Sequence, residues 1–151
     1  MADPTIEAAR EVLGESLDEI RRGVAGLSVE QLNARPAGGE TNSIAVIAAH
    51  ALGSTLSWLS LAMGAPLPSR DRDAEFRTIA DDGFAARAEE QISRCLAMLD
   101  TGEWDPTRVG TPNWSARLAE EPRSAAYSLS HALAHLGEHV GHLHMTRELV
   151  R

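Results

Sequence analysis

The chain has one cysteine, Cys95, among 151 residues, so no internal disulfide can support its fold. That usage suits a reducing compartment. No basic cluster is larger than Arg21-Arg22, and the formal charge is −8. Nucleic acid and anionic membranes attract basic surface, so neither is an expected partner. The N-terminal MADPTIEAAREVL is charged and lacks the apolar centre of a secretory leader, which makes a cytoplasmic location the expectation. There is no glycine-rich phosphate loop and no Gly-x-Ser-x-Gly elbow, and neither repeats nor low-complexity segments appear. No strand-like alternation competes with the helical periodicities.

A further absence is local. Between Glu40 and Arg70 there is no Asp, Glu, Lys or Arg. The stretch from Ser43 to Met63 is long enough to cross a bilayer. Ser43, His50, Gly53, Ser54, Thr55, Ser57 and Ser60 dilute its apolar character. A helix buried on most sides within a bundle is therefore expected.

What is present is helical pattern. The first helix opens at Asp3-Pro4, an N-cap followed by proline at the first helical position. Ile6, Ala9, Val12, Leu13, Leu17, Ile20 and Val24 step by three and four, and Gly23 and Gly26 weaken its end. Ser28 and Gln31 have capping-box spacing, and NARPAGGE is a connector. Asn42 or Ser43 caps the second helix, which ends near Gly64. Ser69 to Asp82 is charge-rich and ambiguous. The third helix is expected from about Asp82 to Gly102, with Phe84, Ala88, Ile92, Cys95, Leu96 and Leu99 inward. Glu103 to Pro122, with Trp104, Trp114 and its prolines, reads as a long crossover loop, and loops of this length often serve function. The last helix runs from about Ser124 to Glu148. The chain, 1–151, is expected to form a single all-α domain of four helices.

Five of the six histidines fall in SLSHALAHLGEHVGHLHMTRELV. At about 100° per residue, with His131 at 0°, His142 lies at about 20°, His135 at about 40° and His139 at about 80°. On the same construction Leu129, Ala132, Leu136, Val140 and Leu143 occupy roughly 100° to 180°. The histidine row thus borders the buried stripe, with His139 nearest the core and His131 furthest towards solvent. His144 points away. Histidines at i and i+4 can close on one divalent ion, and zinc and similar metals accept imidazole. His135 and His139 are the expected pair, and His50, alone in its apolar helix, is the expected third ligand. Three protein ligands leave a coordination position for water or substrate, as in catalytic sites. His131 and His142 are expected around the pocket. A hydrogen-bonded core role for His50 and a surface coincidence for the pair are the plain alternatives. Cys95 and Trp58 read as core, Tyr127 as packing that can border the pocket, and Glu138 as solvated.

These residues resemble the DinB-like (DinB/YfiT-like) metalloenzyme superfamily. The resemblance is carried by Asn42-Ser43-Ile44-Ala45 leading to His50, by the histidine series His131, His135, His139 and His142, and by Thr146-Arg147-Glu148-Leu149. It implies an up-down-down-up four-helix bundle with a long loop before the last helix. It also implies a divalent metal, zinc or nickel, held by His50, His135 and His139. Relatives include thiol-dependent S-transferases and a mycothiol-dependent maleylpyruvate isomerase, which implies a low-molecular-weight thiol cosubstrate and transferase or isomerase chemistry. The chain departs from that pattern at His142, where glutamine is common, and the resemblance does not reach the isomerase's second domain. The expected function is metal-dependent chemistry on a small molecule. A non-catalytic metal- or ligand-binding bundle is the alternative, and a helical interaction protein with incidental histidines is a third reading. A homodimer through helix faces is expected, as symmetric dimers are the commonest oligomers.

Overall fold

The computed structural model describes residues 3–116 and 121–151. Four long helices carry the fold: α1 (Pro4–Val24), α3 (Ile44–Met63), α5 (Phe84–Met98) and α6 (Ala125–Val150). Two short ones, α2 (Val29–Asn33) and α4 (Arg72–Glu75), lie in the connections.

Local signals set the helix ends. Asp3 accepts from the Thr5 N–H at the start of α1, and Ser28 and Gln31 close a reciprocal capping box on α2. Ser43, rather than Asn42, caps α3 by accepting from the Val46 N–H. Gly64, with φ of 65°, terminates α3 in the left-handed conformation that glycine adopts without strain. Ser124 caps α6 through the Tyr127 N–H.

Burial follows the apolar stripes. Ile6, Leu13, Leu17 and Ile20 of α1 face Ile92 and Cys95 of α5 and Leu136 and Leu143 of α6 in one core cluster. Each fully buried aliphatic side chain there contributes about 1.5–3 kcal/mol. Val12, read as part of the stripe, is instead exposed. Gly23, one residue before the end of α1, also serves packing. A Cβ there would stand 1.6 Å from Leu143 Cδ2, so only glycine lets α6 approach this closely. In α3 nearly every residue is buried, and the segment apolar enough to span a membrane is taken up by the bundle, 83% of it buried.

Residue pairs fix the helix directions. Arg21 meets Glu89 and Arg10 meets Asp100, so α5 runs antiparallel to α1. Glu19 meets His144, and Arg147 donates to the Gly23 and Ala25 carbonyls, so α6 runs parallel to α1. His50 faces His139 while Trp58 faces His131, so α3 is antiparallel to α6. The order is up, down, down, up.

The third helix is shorter than its periodicity predicts, ending at Met98 before a turn. The long connection contains a strand the sequence does not signal. Val109 and Gly110 pair antiparallel with Ser124 and Arg123, a ladder too short to leave a period of two. It ties the loop to the start of α6. Trp114 is thereby buried edge-on against Trp58, at 4.9 Å between ring centroids.

Candidate metal centre

The expected triad converges. His50 from α3 and His135 and His139 from α6 each present a ring nitrogen, all within 4.8 Å of one another. The i, i+4 spacing on one helix turn brings the His135 and His139 Nε2 atoms to 3.1 Å. The His50 ring lies 5.2 Å from that of His135 and 4.8 Å from that of His139, centroid to centroid.

Three features test whether a metal fits. Nitrogens bound at about 2.0–2.1 Å to one tetrahedral ion stand about 3.3 Å apart, close to the His135–His139 separation. Burial first, then the neighbouring histidines, pushes the His135 imidazole down to about 3 and that of His139 down to about 4. Both rings are therefore neutral at physiological pH and offer lone pairs, the state in which histidine ligates. Two such lone pairs at 3.1 Å repel unless a proton or a cation lies between them. A divalent cation suits this all-imidazole donor set.

His50 is held by a partner that sequence reasoning missed. Its Nδ1 donates to Glu75 Oε2 at 2.9 Å. Nε2 is then the ring nitrogen available for ligation, the usual carboxylate–histidine arrangement behind a metal ligand. Glu75 in turn accepts both nitrogens of the Arg70 fork, at 2.6 and 2.9 Å. Burial opposes the Glu75 charge, but Arg70 and His50 outweigh it and hold the carboxyl below its ordinary value. Gly53 makes room for this carboxylate, since a Cβ at that position would stand 2.3 Å from Oε1. Glu75 lies in the ambiguous Ser69–Asp82 segment, where no periodicity marks it as inward. The Nδ1 atoms of His135 and His139 are buried without a hydrogen-bond partner among the described residues.

The other predicted residues surround the triad. His131 stacks between Tyr127 and His135, and its ring lies 4.4 Å from Trp58. It is half-buried, whereas His142 on the far flank of His139 is the exposed one. The helical wheel ranks them otherwise because it omits Trp58, which shelters His131 from the neighbouring helix. Trp58 is core as expected, and Tyr127 borders the site. His144 pairs with Glu19 away from the site, and Glu138 is exposed. Cys95 is fully buried, its thiol pushed up to about 12 by desolvation, and is inert packing.

Two recesses open on the triad. A cleft of about 460 Å³ reaches His50 and His135 between Trp58, Trp114 and Tyr127. A smaller one of about 360 Å³ reaches His50 and His139 past Asn42 and His142. A further groove, about 680 Å³, lies between α3 and α5 behind the Arg70–Glu75 pair, and no histidine is among its described lining residues.

Comparison with known proteins agrees with this architecture. A conserved protein from Enterococcus faecalis, known from its crystal structure, shares the fold with a TM-score of 0.69 at 17% identity, over 95% of each chain. No curated protein matches the sequence. The DinB superfamily matches residues 9–143, through all four long helices and all three converging histidines, and the chain belongs to that superfamily.

Proposed function

We propose that this chain is a metal-dependent enzyme acting on a small molecule, with His50, His135 and His139 as the ligands of one divalent ion. The observation that carries the reading is the convergence of three imidazoles, two of them held neutral, beside two recesses that reach them. Zinc or nickel fits the donor set. The cosubstrate is a low-molecular-weight thiol, a reading supported by the resemblance to thiol-dependent S-transferases. A bound divalent cation supplies charge that favours the thiolate, the nucleophilic form of a thiol.

The chain's own residues do the rest. Glu75 fixes the His50 tautomer and ring plane, and Arg70 holds Glu75. Trp58, His131 and Tyr127 form an aromatic flank of the cleft. The protein acts in the cytoplasm as a single-domain homodimer, without nucleic-acid or membrane partners; the net charge of −8 supports the last point.

The test is metal analysis of tag-free protein, followed by thiol consumption with a panel of thiols and electrophiles. One equivalent of metal, lost in His50→Ala, together with metal-dependent turnover, is expected. Metal without turnover across the panel favours the non-catalytic binding bundle. Protein without metal affinity removes the reading.

A further inference from the structure

The larger cleft on the triad differs in charge from the rest of the molecule. Three arginines line it, Arg70, Arg72 and Arg123, and no aspartate or glutamate does among the described residues. This stands out on a chain of formal charge −8. Arg70 is committed to Glu75 and is 5% exposed. Arg72 lies at the mouth, its guanidinium 5.0 Å from the Phe76 ring, with no carboxylate partner among the described residues. Arg123 packs over the Tyr127 ring at 4.9 Å and pairs with Glu121 through one Nη. Its Nε is buried with no partner among the described residues.

The cleft is lined by aromatic rings set at different tilts. Trp114 meets Trp58 edge-on, and Trp58, His131 and Tyr127 continue as rings within 6.0 Å of one another. An aromatic lining favours an apolar body. A guanidinium fork favours a planar carboxylate, which it binds through parallel hydrogen bonds. All 14 basic residues are arginine, so each cation in the cleft is a fork.

We propose that this cleft binds a small organic acid with an apolar body, its carboxylate taken by Arg72 and Arg123 and its body set among the aromatic side chains that line the cleft. The other end of such a molecule reaches His50 and His135, so the acid is the acceptor substrate of the proposed metal centre, and the inference rests on that reading.

The experiment uses trans-cinnamate as probe and cinnamamide as its neutral isostere, with binding followed by calorimetry in metal-free and zinc-loaded protein. The expected result is cinnamate binding about tenfold or more tighter than the amide in both states, since hydrogen bonds to charged groups are worth about 1.5–3 kcal/mol. Arg72→Gln and Arg123→Gln each weaken cinnamate about fivefold or more and leave cinnamamide and zinc stoichiometry unchanged. Arg123→Lys, which keeps the charge but not the fork, recovers only part of the loss. Arg72 is exposed, so its substitution leaves the fold intact. Equal binding of acid and amide overturns the proposal, as does a preference for the acid that survives both glutamine substitutions. A preference seen only with zinc also overturns it, because the metal then takes the carboxylate. An arginine-dependent preference in protein that binds no zinc sinks the metal reading and leaves the subsite standing.

Discussion

The two sides of the bundle bury different things. Between α1 and α5 the contact is apolar inside, with Leu13, Leu17 and Ile20 against Ile92, and its ion pairs sit at the rim. Between α3 and α6 the contact holds imidazoles, and a carboxylate–guanidinium pair is enclosed behind them. Polar groups removed from water cost free energy unless partnered. The α1–α5 side avoids that cost. The α3–α6 side carries it, offsets part of it through Glu75 and Arg70, and leaves two histidine Nδ1 atoms without partners among the described residues. Stability and chemistry are thus divided between two faces of one core, and substitutions should separate them.

The largest separation comes from His139→Ala. It removes one of the two closest nitrogens and is expected to abolish stoichiometric metal binding while the helical circular-dichroism signal persists. In the parent protein a chelator at pH 7.5 lowers the melting temperature, because bound metal stabilises by mass action. The variant loses that response, and at pH 5 it is much reduced in the parent too, since protons compete for the same nitrogens. An unchanged parent melting curve after metal removal contradicts the assignment.

Leu17→Ala is the converse. Leu17 is fully buried, and its truncation is expected to cost about 2–5 kcal/mol in chemical denaturation, with metal stoichiometry intact below the transition. Glu75→Gln acts across the divide. Competition titration against a chromophoric chelator should show metal affinity lowered about 10–100-fold, as for other carboxylates behind histidine ligands. Unaltered affinity would make Glu75 a structural residue only.

The pH dependence of the metal-free protein is subtler. The folded-state values of His135 and His139, about 3 and about 4, lie below the ordinary 6.5. The unfolded chain therefore takes up protons first as pH falls. The stability these groups contribute is complete above about 6.5 and is lost progressively towards 4 and then 3. Glu75, also depressed, adds to the loss below its ordinary 4.5. Urea midpoints should fall across this window, and replacing both His135 and His139 with alanine should flatten the upper part. The smallest effect is Arg21→Ala. Its pairs with Asp18 and Glu89 are solvent-exposed, so about 0.2–1 kcal/mol is expected, fading with added salt.

Much of the site was legible in one dimension because its parts repeat along a helix. His135 and His139 lie one turn apart, so backbone geometry alone brings their rings together. His50 was conspicuous as the one titratable side chain in an otherwise uncharged helix. Trp114 was less legible, because only a two-residue ladder positions its loop. Glu75 was illegible, since it ends a four-residue helix that opens with the exposed charges Arg72 and Asp73. The expected inward stripe failed at Val12 because an ideal wheel does not know where the neighbouring helices stop.

By itself the sequence determined the helix class, the capped helix starts and the ligand-bearing face, because caps and 3.6-residue periodicity act over one or two turns. Only the tertiary structure decided that α3 stands opposite α6 with His50 level with His139, that Glu75 turns inward onto His50, and that Arg72 and Arg123 meet at one cleft. Those are contacts between residues tens of positions apart. They depend on how four helices share one core, and on glycines such as Gly23 and Gly53 that set how closely neighbouring groups approach.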